Sequence, residues 1–182
     1  MSTLTGRDAT ALVVIDVQNG VVEGAYKRDE VIANIEQAVA KARTASVPVI
    51  WVQHSDEELE IDSDAWQIVS ELIPLEGEAM IRKTFRSSFE GTNLGEVLAS
   101  LNASHLVICG AQSNNCVRHT GQDALAKGYD VTLIADAHTT TGYEWRGRVV
   151  SAQAVVEEQT DNFNEQLPGR FARSVPLAQL SL

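Results

Sequence analysis

Four short runs, ALVVID (11–16), VPVIWVQH (47–54), HLVICG (105–110) and DVTLIAD (130–136), are apolar at nearly every interior position. A strand with one face in water alternates apolar and polar residues, so runs without alternation belong to strands covered on both faces. Amphipathic stretches separate them. Residues 29–46 place Val31, Ile32, Ile35, Ala38, Val39 and Ala42 on one helical face, and 93–101 does the same with Leu94, Val97, Leu98 and Leu101. Asn93 is the expected N-cap of the second helix, with Glu96 three residues on. A third helix is predicted over 115–127, stopped by Gly128, and a fourth over about 144–160, with Trp145, Val149, Ala152 and Val156 on one face. Weaker signals suggest a short helix at 66–72 and strands at 79–83 and 171–175.

Buried strands alternating with helices define an α/β protein with a mainly parallel sheet. At 182 residues the chain fits one domain, 1–182, and is shorter than the ~250 residues typical of an eight-fold barrel. The expected architecture is therefore three-layered: an open doubly wound sheet of six strands, ordered 3-2-1-4-5-6, with helices on both faces. Ligands bind such sheets beyond the carboxyl ends of the strands, where the strand order reverses. Strands one and four meet there.

Fourteen basic against twenty-five acidic residues give a net charge of −11, which repels nucleic acid and anionic membranes. No apolar stretch approaches the ~20 residues of a membrane span, and MSTLTGRDAT lacks the pattern of a signal peptide, so a cytoplasmic protein is expected. Cys109 and Cys116 lie seven residues apart across a strand-to-helix turn and are read as free thiols.

Three reactive side chains fall at or beyond strand ends. Asp16 closes the first strand, Lys83 the third, and Cys116 stands in the first turn after the fourth. A helix N-terminus and a nearby ammonium both favour thiolate. Asp16 can accept the thiol proton and return it to a leaving group, and backbone N–H groups of the turn can hold an oxyanion. This reads as an acyl-transfer nucleophile. Singly, each residue also fits a structural role: a salt-bridge carboxylate, a solvated lysine, a core cysteine.

The blocks LVVIDVQNG, IRKTFRSSFEGTNL and LVICGAQSNNCVRHTGQDALAKGYDVTLIADA resemble, in order and separation, the signature blocks of the isochorismatase-like cysteine hydrolases. The likeness runs over about residues 10–140. It implies a catalytic triad of Asp16, Lys83 and Cys116, a non-proline cis peptide between Ala111 and Gln112, and oxyanion donors at the amides of Gln112 and Cys116. Ser113 stands where the family often has threonine. Nicotinamidases of this superfamily hold a metal with an aspartate and histidines after the second strand. Here His54 is followed by SDEELEIDSDAW, which contains no second histidine, so His54 is read as a hydrogen-bonded strand-end residue and neither metal nor cofactor is expected.

Gln18, Phe85, Phe89, His119 and Tyr143 are candidate substrate contacts, and the acidic stretch 55–64 a candidate lid. The expected function is hydrolysis of a C–N bond in a small amide-like molecule through a thioester on Cys116, by a homo-oligomer, dimer or tetramer. Two alternatives stay open: an isochorismatase-type vinyl-ether hydrolase, and a non-catalytic redox-sensing thiol protein. No G-x-G-x-x-G follows the first strand, which argues against a nucleotide-binding module.

Overall fold

A computed structural model describes residues 2–182. Strands β1 (Ala9–Ile15), β2 (Val49–His54), β3 (Ala79–Lys83), β4 (Ala103–Ala111), β5 (Asp130–Thr139) and β9 (Arg170–Val175) form one parallel sheet in the order β3-β2-β1-β4-β5-β9. This is the expected 3-2-1-4-5-6 order. One further strand, β8 (Glu165–Leu167), extends the sheet antiparallel to β9.

Alternate side chains of the central strand feed two cores. Leu12 and Val14 of β1 pack with Val31, Ile35, Val39 and Ala42 of helix α2 (Arg28–Thr44). Ala11, Val13 and Ile15 pack into the opposite core with Leu94 and Leu98 of α3 (Leu94–Ser100) and Ala124 and Leu125 of α4 (Arg118–Ala126). A short helical turn, α1 (Asn19–Val22), follows β1. The two-sided burial is the physical counterpart of the unbroken apolar runs. Among the described residues no helix is long and apolar enough to cross a membrane.

Three local expectations are corrected. Residues 66–72 form turns, because their backbone is paired with the segment after β1: Asn19 N–H donates to Gln67 O (2.9 Å) and Val69 N–H to Val17 O (3.1 Å). The predicted helix 144–160 begins only at α5 (Ala152–Asn162), where the Ser151 hydroxyl accepts from Ala154 N–H. Before it stands a hairpin, β6 (Tyr143–Trp145) and β7 (Arg148–Val150), whose turn residues Arg146 and Gly147 both have positive φ, 52° and 75°. Such a pair suits a tight hairpin turn and breaks a helix. Asn93 sits at the start of α3 without capping it; the Thr92 hydroxyl accepts from Leu94 N–H instead.

Candidate active site

Asp16 follows β1 directly and has left-handed backbone geometry (φ 49°), which aspartate tolerates better than most residues. Its N–H donates to Val52 O of β2, keeping it at the carboxyl edge of the sheet. Lys83 is the last residue of β3, one strand further out, and its long stem passes the end of β2 to reach Asp16. Cys116 comes from the other side. After β4 the Ala111–Gln112 peptide is cis, and Ser113–Val117 form a single π-helical turn leading into α4.

The three side chains meet. Lys83 Nζ lies 2.6 Å from Asp16 Oδ2 and 3.2 Å from Cys116 Sγ. Asp16 and Lys83 are almost wholly buried, 1% and 2% exposed. Asp16 Oδ1 has no hydrogen-bond partner among the described residues, and Oδ2 meets the ammonium as an ion pair rather than through a well-directed hydrogen bond.

Burial pushes the Asp16 carboxyl above its ordinary value, against the pull of the Lys83 ammonium. The Cys116 thiol is pushed up to about 12: burial contributes most, the Asp16 carboxylate adds to it, and Lys83 opposes both. The pull of Lys83 toward thiolate is the expected one, with burial and the Asp16 carboxylate set against it. The carboxylate and the desolvation together outweigh the ammonium, which favours the thiol form of Cys116. Cys109 lies inside β4, fully buried, and burial alone pushes its thiol up further.

A cavity of about 520 Å³ opens over this group, lined by Asp16, His54, Arg86, Gln112, Asn115 and Cys116 among others. A larger recess, about 720 Å³, lies on the far side of Arg86 and holds none of the three central residues. Phe85 and His119 line that outer recess. Phe89 packs on the Tyr129 ring at 5.8 Å, and Tyr143 is exposed on the β6–β7 hairpin; neither lines the cavity. Gln18 is fully buried and its amide is spent on backbone: Nε2 donates to His54 O and Trp66 O, and Oε1 accepts from His54 N–H. Of the 55–64 stretch, Asp56, Glu58 and Leu59 line the cavity.

Two hydrogen-bonded histidines complete the surroundings. His54 joins Lys83 to Asp56, with Nδ1 3.2 Å from Lys83 Nζ and Nε2 3.1 Å from Asp56 Oδ2. His138 lies 2.8 Å from the Ser113 hydroxyl in the π-helical turn that carries Cys116 and 3.0 Å from Thr160 of α5. A hydrogen bond at the strand end is what the sequence predicts for His54, and the fold supplies its partners. The signal lies in the β2–β3 register, which sets His54 opposite Lys83.

The family model of the isochorismatase domain matches residues 10–172. The chain belongs to the isochorismatase family of hydrolases. It is similar to streptothricin hydrolase of Streptomyces noursei, 32% identical over 140 residues that make up 74% of this chain and 56% of that protein. A second streptothricin hydrolase of the same organism is covered to 49%, so the chain spans about half the length of these two relatives. The secreted isochorismatase effector Isc1 of Verticillium dahliae is 32% identical over 143 residues, 75% of each chain. Among solved structures, an isochorismatase from Pseudomonas putida KT2440 superposes with a TM-score of 0.86 at 30% identity, covering 94% of this chain and 90% of that one.

Proposed function

We propose that the chain hydrolyses a C–N bond in a small amide-like substrate, with Cys116 as nucleophile, Asp16 as acid and base, and Lys83 as the charge that steadies both. The observation that carries this is one buried ammonium shared between a carboxylate (2.6 Å) and a thiol (3.2 Å) at the floor of a cavity. A carboxyl held above its ordinary value accepts protons better at neutral pH, and a protonated thiol beside it supplies a proton to accept.

Attack proceeds with transfer of the thiol proton to Asp16, so the charge moves from carboxylate to sulfur and on to the substrate oxygen. The amides of Gln112 and Cys116 receive that oxyanion. Collapse expels the amine, which takes the proton from Asp16 and leaves a thioester. Asp16 then deprotonates a water that attacks the thioester, and the thiol is re-formed as the acid departs. A cavity of about 520 Å³ suits a small organic substrate. The likeness to streptothricin hydrolases supports a hydrolytic reading.

The test is a hydrolysis screen over small amides, ureides and hydrazides, with mass spectrometry of quenched enzyme for an acyl adduct on Cys116. Turnover with such an adduct, absent in Cys116→Ser, is the expected outcome. Undiminished hydrolysis by Cys116→Ser would remove the thioester and favour vinyl-ether chemistry. Oxidation of Cys116 to a sulfenic acid by dilute peroxide, with nothing turned over in the screen, would favour a redox sensor.

A further inference from the structure

We infer that His54 and Asp56 are positioning residues that hold one N–H of the Lys83 ammonium, keeping it in place while charge moves between Asp16, Cys116 and substrate. The inference rests on the proposed hydrolysis.

A lysine ammonium has three donors and no acceptor. Cys116 Sγ takes one of them, the Asp16 carboxylate faces the ammonium as an ion pair, and His54 Nδ1, at 3.2 Å, stands on a further side. Nδ1 must then offer its lone pair, which puts the ring proton on Nε2, and Nε2 faces Asp56 Oδ2 at 3.1 Å. Asp56 is itself anchored, since its Oδ1 accepts from the N–H groups of Glu58 (2.9 Å) and Leu59 (2.8 Å). The His54 main chain is clamped at both polar atoms by the buried Gln18 amide. Ring and backbone are therefore both fixed, in an orientation that only one tautomer satisfies.

The consequence is kinetic. Two of the three groups around Nζ change charge during the reaction, as Asp16 becomes protonated and the sulfur becomes acylated. A lysine on a flexible four-carbon stem would follow those changes. The imidazole is the one partner whose lone pair is untouched by the reaction, so it pins Nζ throughout the cycle. Asp56 in turn keeps the ring from flipping, much as outer carboxylates orient histidines in other sites.

Two measurements test this. In substrate-free protein, ¹⁵N shifts of the His54 ring should show the Nε2–H tautomer, and the Lys83→Met/Asp56→Ala double variant, which removes both partners of the ring, should lose that preference. A ring found as the Nδ1–H tautomer in the wild type would overturn the assignment. With a substrate from the screen, His54→Ala should lower kcat at least about 10-fold with little change in KM. His54→Asn, whose Oδ1 stands near the place of Nδ1, should recover to within about 3-fold of wild type, since small misplacements of a charge near reacting atoms are costly. Equal kcat losses in Ala and Asn variants, or an unchanged kcat in His54→Ala, would also overturn it. Thermal unfolding of each variant separates lost positioning from lost folding: a kcat loss that tracks a fall in Tm counts against positioning. Hydrolysis surviving in Cys116→Ser would refute the proposed function, whereas the tautomer measurement stands without substrate.

Discussion

The Lys83 ammonium and the Asp16 carboxylate pull the Cys116 thiol in opposite directions, and burial adds to the carboxylate's side. The Asp16 charge is part of what raises the Cys116 thiol, which makes Asp16→Asn informative in two directions. Removing the carboxylate charge leaves Lys83 unopposed beside the sulfur, so the thiol of this variant should titrate at lower pH than in wild type. Hydrolysis should nevertheless fall by at least ~10²-fold, because an amide cannot accept the thiol proton. The check is the pH dependence of iodoacetamide alkylation at Cys116, read by peptide mass spectrometry with buried Cys109 as internal reference. A midpoint that stays put or moves upward would show that Asp16 does not hold the proton on sulfur.

At the scale of elements, the meeting of β1 and β4 sets the distance between Asp16 and the turn that carries Cys116. Ile15 pairs with Gly110, and Gly110 has φ 119°, open to glycine alone. A Cβ there would stand 2.0 Å from the Ile15 carbonyl oxygen. Gly110→Ala must therefore push the two strands apart one residue before Asp16. It should cost ~3 kcal/mol or more in denaturant unfolding and abolish turnover. Gly95 in α3 is the contrast, with nothing within 4 Å of its added Cβ and ordinary helical surroundings. Gly95→Ala should stabilise by up to ~1 kcal/mol and leave activity intact. Comparable destabilisation at both sites would mean that close strand approach is not what Gly110 provides.

At the scale of the whole molecule, two histidines tie distant elements together as neutral groups. His105 bridges Thr10 of β1 and Thr132 of β5, while His138 bridges Ser113 of the Cys116 turn and Thr160 of α5. Burial lowers both to about 4; for His105 the Arg173 charge adds to the effect. Below the unfolded value of ~6.5 the unfolded chain gains protons that the folded chain refuses, so the stability these groups contribute is lost as pH falls from 6.5 towards 4. The net charge of −11 works the other way, since acidification relieves self-repulsion. The His105→Asn/His138→Asn variant separates the two effects. Its unfolding free energy, measured by denaturant titration, should decline less between pH 6.5 and 4 than that of wild type. Parallel pH profiles would show that neither histidine is held neutral by the fold.

What the chain discloses by itself is what arises from local pattern. Unbroken apolar runs such as ALVVI and HLVIC imply strands buried on both faces, such strands imply a parallel sheet, and its switch point draws Asp16 and Cys116 to one edge. The first part of the helix expected over about 144–160 is a hairpin for a local reason too, since Gly147 inside it is a visible turn signal. Residues 66–72 carried no such warning, because their turns are imposed by backbone pairing with 17–20, a contact between segments some fifty residues apart. The same holds for the chemistry. Residue types at strand ends suggest a nucleophile, a base and a cation. The protonation of Cys116 and the bond from His54 to Lys83 depend instead on burial and on charges brought from β1, β2, β3 and β4, a field that exists only once the sheet has formed.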